Sequence, residues 1–116
     1  MSTEINGIEG ELPTGKVIIV ASRYNEGICD SLVQGSLETL NGAGYSSSDI
    51  DVVRVPGAWE LVMVTAEMLD RDDVIAVITL GCVIKGETTH DEHINRSVSD
   101  GLMQLGVATR KPIGFG

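Results

Sequence analysis

Three short strand-like stretches limit this chain to few folds: KVIIVAS (16–22), DIDVVRV (49–55) and VIAVITL (74–80). The first and third are of strand length and continuously apolar rather than alternating, as in strands of a parallel sheet covered on both faces. Between the runs the apolar period changes. Cys29, Val33, Leu37 and Leu40 recur at i, i+4, i+8 and i+11, and NGAG (41–44) ends that stripe. Leu61, Val64, Thr65, Met68 and Leu69 form a second stripe before the charged turn DRDD, and Ile94, Val98, Leu102 and Leu105 form a third. Lys111-Pro112 then leads into a short fourth strand, PIGFG. Strands alternating with helices make βαβ units, so the predicted fold is α/β, a parallel sheet with right-handed crossovers and helices on both faces. Residues 16–116 form the domain. Residues 1–15 are polar and rich in Gly, with only Ile5, Ile8 and Leu12 as large apolar residues, and read as an arm that adds to a neighbouring subunit's sheet. A doubly wound sheet is expected to run on from PIGFG into a covering helix. The sequence stops at Gly116, so that helix is expected either in a longer domain or as a surface supplied by a partner.

Charge removes two classes of partner. With a formal net charge of −9 the chain offers no basic stripe for nucleic acid or for an anionic membrane surface. No basic segment precedes an apolar stretch and no run approaches the roughly 18 apolar residues of a spanning helix, so the protein is read as cytoplasmic. Cys29 and Cys82 match neither a C-x-x-C pair nor a disulfide framework, and are expected to be reduced. An anionic substrate would have to be held locally, by a few cations, backbone N–H groups and helix N-termini.

In a parallel α/β sheet ligands sit outside the carboxyl ends of the strands. The stretches to inspect are therefore SRYNE (22–26), VPGAWE (55–60), GCVIKGETTH (81–90) and GFG (114–116). They hold Tyr24, Trp59 and Phe115, three of the four aromatic residues, together with His90. Flat, partly polar rings gathered at one sheet edge suit stacking on a flat ligand, whereas Tyr45, after the first helix, is expected to pack. The third stretch fits the phosphate-loop spacing G-x-x-x-x-G-x-[ST] except that Glu87 stands where Lys should be, and a carboxylate there repels nucleotide phosphates.

Taken in order, SRYNEGICDSLVQGSLETL, VPGAWEL, LGCVIKGETTHDEHI and PIGFG resemble the 6,7-dimethyl-8-ribityllumazine synthase family from about residue 8 to residue 116. The resemblance implies a flavodoxin-like α/β subunit, here without its C-terminal helix, that assembles in multiples of five as pentamers, decamers or icosahedral shells. It implies active sites between neighbouring subunits, no metal and no cofactor. The substrates it implies are 5-amino-6-(D-ribitylamino)uracil and 3,4-dihydroxy-2-butanone 4-phosphate, joined through an imine, loss of phosphate and ring closure. By position, Tyr24 would stack on the pyrimidine. Ala58, Trp59 and Glu60 would hold the ribityl chain and pyrimidine, and Cys82, Val83 and Ile84 would present backbone groups to the heterocycle. Glu87 and Thr88 would lie at the phosphate-bearing ketone, His90 would move protons, and Phe115 would close the pocket of the adjacent subunit. A phosphate-pairing Arg of the family would fall beyond Gly116, and residues 91–93 read Asp-Glu-His where many members have an aromatic-Asp-Tyr run.

Histidine suits the proton transfers on chemical grounds as well, since its ordinary pKa is about 6.5. A metal site begun by His90 and His93, three apart on one helix face, lacks a third ligand at convincing spacing. Trp59 and Phe115 also have a plain reading as core, Glu87 as a surface charge at a helix start, and Lys85 and His93 as solvated residues. The alternative to the enzyme is a non-catalytic member of the same fold that binds the pyrimidine or builds a shell.

Overall fold

The structure is a computed structural model that describes residues 2–7 and 10–116. Its elements are β1 (Lys16–Ser22), α1 (Glu26–Ala43), β2 (Ile50–Val55), α2 (Leu61–Leu69), β3 (Val74–Leu80), α3 (His90–Thr109) and β4 (Ile113–Phe115). The strands are all parallel in the order β2-β1-β3-β4. That is the flavodoxin-like doubly wound arrangement as far as its fourth strand.

Register explains the unbroken apolar runs. Ile19 of β1 pairs with Val52 on one side and Ile78 on the other. Along β1, Ile18 and Val20 turn toward a cluster with Leu61 and Leu69 of α2 and Val98 and Leu102 of α3. Ile19 and Ala21 turn the opposite way, toward Val33 of α1. Successive side chains of a strand point to opposite faces, so a strand covered on both cannot alternate in polarity. Each fully buried Val or Ile contributes about 1.5–3 kcal/mol by leaving water.

The helices begin and end where local chemistry dictates. Gly44 stops α1 in a left-handed conformation (φ 116°), and its N–H bonds back to Asn41 O. A side chain there would meet Leu12 of the arm, whose neighbour Pro13 accepts a bond from Tyr45 Oη at 3.0 Å through its carbonyl. The far end of the arm thus rests on its own chain. The arm's Met1, Ile8 and Glu9 lie outside the described residues. Tyr45 packs beside the α1-facing cluster, as expected. Asp49, read as the first residue of its strand, closes a short turn instead: Ser46 donates to its carboxylate from backbone (3.0 Å) and hydroxyl (2.9 Å). The backbone bond, then the hydroxyl bond, hold the Asp49 carboxyl below its usual range.

At the C-terminal end of α2, Lys111 Nζ donates to Leu69 O at 2.9 Å and to Arg71 O at 3.0 Å. A cation there satisfies carbonyls left open by the helix end and opposes its negative pole. The two helices on that face also approach closely. A methyl group added at Gly101 of α3 would lie 2.9 Å from Val62 of α2.

Thr65 is fully buried in α2, and its hydroxyl has no hydrogen-bond partner among the described residues. A buried unpaired hydroxyl costs about 1–3 kcal/mol. Thr65→Val is therefore expected to raise the unfolding free energy by about 1 kcal/mol, read as a higher urea midpoint at unchanged slope. A midpoint below wild type would show that the hydroxyl is paired.

Candidate functional site

The chain leaves β1 toward β2 through α1, then crosses back over β1 through α2 to reach β3. The carboxyl ends of β1, β2 and β3 therefore open into one crevice between loops of opposite sense. A cavity of about 470 Å³ occupies it, lined by Tyr24, the turn Pro56–Glu60, Cys82, Val83, Ile84, Gly86, Thr88 and the start of α3.

Each wall has a local cause. After β1, Tyr24 N–H donates to Ser22 Oγ at 3.1 Å and Tyr24 O accepts from Cys29 Sγ at 3.3 Å. With its peptide pinned at both ends, the Tyr24 ring remains 57% exposed at the opening. Asn25 then takes a left-handed conformation (φ 57°), which Asn tolerates better than most residues, and turns the chain into α1. After β2, a single helical turn, Ala58–Glu60, carries Trp59, 61% exposed. Glu60 folds back on this turn, accepting from Gly57 N–H at 3.0 Å through Oε2. Oε1 makes no hydrogen bond among the described residues and stays available as an acceptor.

After β3, Gly81 packs closely against Leu61 and Ala58: an added Cβ would lie 3.3 Å from Leu61 Cδ1. Gly81 N–H donates to Gly116 O at 3.1 Å, and Gly116 N–H to Thr79 O at 2.8 Å, so the ladder to β4 continues to the cavity's edge. Asn25 Nδ2 donates to Cys82 Sγ at 3.7 Å and ties this loop to the one after β1. Thr88 Oγ1 accepts from His90 N–H at 3.3 Å, and Thr89 O accepts from Glu92 and His93 as α3 begins. The positive pole of α3 thus lies at the cavity, where it favours an anion.

Of the sequence-predicted residues, Tyr24, Ala58, Trp59, Glu60, Cys82, Val83, Ile84, Thr88 and His90 meet in this one cavity. Glu87 is exposed and is not among the lining residues. Phe115, 60% exposed, lies outside it, against a separate hollow of about 530 Å³ with Met103, Val107 and Ile113. His93 Nε2 sits 3.5 Å from Thr89 Oγ1, turned back on its own helix start. Asp91 and Ile94 also line the cavity without having been singled out for it. Ile94 follows His90 by one helical turn and so shares its face, a signal the core stripe had concealed.

Arg54 Nη1 lies 2.7 Å from Asp30 Oδ1, as an ion pair without an aligned hydrogen bond. Burial, then the neighbouring Cys82, push the Cys29 thiol up, while Arg54 pulls it the other way.

Comparison with known proteins agrees with this architecture. Residues 14–116 match the family described as 6,7-dimethyl-8-ribityllumazine synthase. The chain belongs to that family. It is 56% identical over 112 residues to a 6,7-dimethyl-8-ribityllumazine synthase of Rhodopirellula baltica, covering 97% of this chain and 72% of the relative. It is 45% identical over 100 residues to the synthase of Stenotrophomonas maltophilia, with 84% and 64% covered. The synthase of Aquifex aeolicus is 43% identical over 98 residues, again with 84% and 64% covered. The chain thus spans from 64% to 72% of the length of these lumazine synthases.

The unequal settings of the two thiols predict their order of reaction. Cys29 is buried and its raised pKa keeps it protonated at neutral pH, whereas Cys82 is partly exposed in the cavity wall. Iodoacetamide at pH 7 is expected to label Cys82 first, and Cys29 only on unfolding, as read by peptide mass. Equal labelling of both in the native protein would contradict this arrangement.

Proposed function

We propose that this chain is the subunit of a lumazine synthase that condenses 5-amino-6-(D-ribitylamino)uracil with 3,4-dihydroxy-2-butanone 4-phosphate and releases phosphate. The observation that carries the reading is the convergence of an aromatic ring, a turn-held carboxylate and a histidine at a helix start in one cavity outside the strand ends. Tyr24 and Trp59 offer faces for a pyrimidine. Glu60 Oε1 is free to accept from ribityl hydroxyls, and the backbone of Cys82–Ile84 supplies donors and acceptors to the heterocycle edge. Thr88 and the first N–H groups of α3 suit the phosphate end, and Glu87 lies near it in sequence. His90 moves the protons that imine formation and phosphate loss demand. The lining residues need neither metal nor cofactor for this chemistry.

The reading extends to assembly in multiples of five, with the active site shared between subunits. Phe115 is exposed and outside its own chain's cavity, which suits a ring that closes a neighbour's pocket. Met103 (69% exposed) and Val107 (72%) continue this apolar surface along α3, a surface that association would cover. The arm, residues 1–15, is read as reaching a neighbouring sheet with the part that precedes Leu12 and Pro13, which rest on their own chain. Among the described residues no helix is long and apolar enough to cross a membrane, and the chemistry proposed belongs to the cytoplasm.

Mixing the protein with both substrates is expected to yield the fluorescent lumazine and free phosphate together. Binding of the uracil without product would favour a non-catalytic member of the family instead. His90→Ala is expected to slow turnover by about 10²- to 10⁴-fold while leaving the far-ultraviolet dichroism unchanged; a variant at wild-type rate removes His90 from the mechanism. Light scattering at micromolar concentration is expected to give a mass that is a multiple of five chains. A monodisperse monomer would refute the shared site.

A further inference from the structure

Cys29 and Cys82 are distant in sequence, yet the fold brings both to one dipeptide. Cys29 Sγ donates to Tyr24 O at 3.3 Å, and Cys82 Sγ accepts from Asn25 Nδ2 at 3.7 Å. Cys29 is fully buried in the first turn of α1, while Cys82 is partly exposed and lines the cavity. The two thiols thus flank one dipeptide, Tyr24–Asn25; burial, then Cys82, raise the Cys29 thiol. One thiol therefore opens on the cavity, and the other is closed off from solvent.

We propose that Cys29 and Cys82 form a reversible dithiol–disulfide pair in the wall of the cavity, Cys82 reacting first with a peroxide and Cys29 resolving the product. In the first step the Cys82 sulfur displaces water from hydrogen peroxide: an O–O bond breaks, an S–O bond forms, and the thiol becomes a sulfenic acid. In the second, Cys29 Sγ attacks the Cys82 sulfur. The S–S bond forms, the S–O bond breaks, and the thiol proton of Cys29 leaves with the hydroxyl as a second water. Two sulfurs are oxidised, one peroxide is reduced to two waters, and an external dithiol reverses the change.

The displacement that closes the bridge falls on one side. Cys29 is fixed within α1, whereas Cys82 begins a segment, 82–89, without regular secondary structure. Gly81 is held by Gly116 O, so the movement starts at Cys82 itself. Drawing Cys82 toward α1 breaks its contact with Asn25 and shifts Val83 and Ile84, which line the same cavity. Oxidation thereby reshapes the cavity, whatever ligand it holds. In a reducing compartment such a bridge is a transient response, not a structural staple.

The test is peptide mass mapping of the whole reduced protein after treatment with hydrogen peroxide and blocking of free thiols in denaturant. Trypsin releases Cys29 within residues 24–54 and Cys82 within residues 72–85. The expected result is these two peptides linked to each other, with free thiols falling from two per chain to none and returning with dithiothreitol. In Cys29→Ser the expected species is a Cys82 sulfenic acid trapped by dimedone; should that variant not fold, the wild-type linkage decides alone. Two free thiols after treatment, a Cys82 sulfinic acid beside an intact Cys29, or a bridge between the Cys82 residues of two chains would each overturn the proposal.

Discussion

The fold depends on β1 being buried on both faces and bonded along both edges. Val17 to Ala21 have almost no contact with solvent, and each pairs with β2 on one side and β3 on the other. A strand in that position has no face or edge to spare for water, so its side chains must be apolar throughout and its peptide groups must pair with neighbours. Once β1 is central, the loops that leave β1, β2 and β3 open at the same end of the sheet. The cavity is thus a consequence of the strand order, and its chemistry a matter of which residues occupy those loops.

Most of this was legible in the sequence because the signals were strong and local. β1 and β3 coincide with their apolar runs, and α2 with its stripe, because strand and helix burial impose periods that a short window reveals. α1 and α3 each extend beyond their stripes, α1 from Glu26 to Ala43 and α3 from His90 to Thr109. Their terminal turns are held by backbone bonds rather than by burial, which leaves no apolar mark. Asp49 reads as part of its strand because a capping carboxylate and a strand residue look alike until the bond to Ser46 is seen.

The site was legible in a different way. Unusual residues in the strand-to-helix loops located the cavity, but not which of their atoms were already engaged. Glu60 was readable as a carboxylate near the ligand, while the engagement of one of its oxygens by Gly57 N–H was not. The meeting of Cys29 and Cys82 at Tyr24–Asn25 was hidden as well, since no sequence spacing encodes a contact between two loops brought together by sheet order. Lys111 is a third such case, in the sequence only the lead into the fourth strand and in the fold the cap of another helix.

The crossover from β2 over β1 to β3 also governs when the structure can form. Val17 pairs with Val77's neighbour Ala76, far along the chain, and until α2 and β3 have emerged during synthesis the second edge of β1 is open. Loop closure over such a span must precede any reward from the contacts it makes, which slows folding relative to a helical bundle of equal size. In that interval the most buried strand of the protein presents a bare edge to every other nascent chain. Rapid assembly of β1 with β2 through the local α1 unit limits this exposure to one side, so the order of elements along the chain is itself a protection against misassembly.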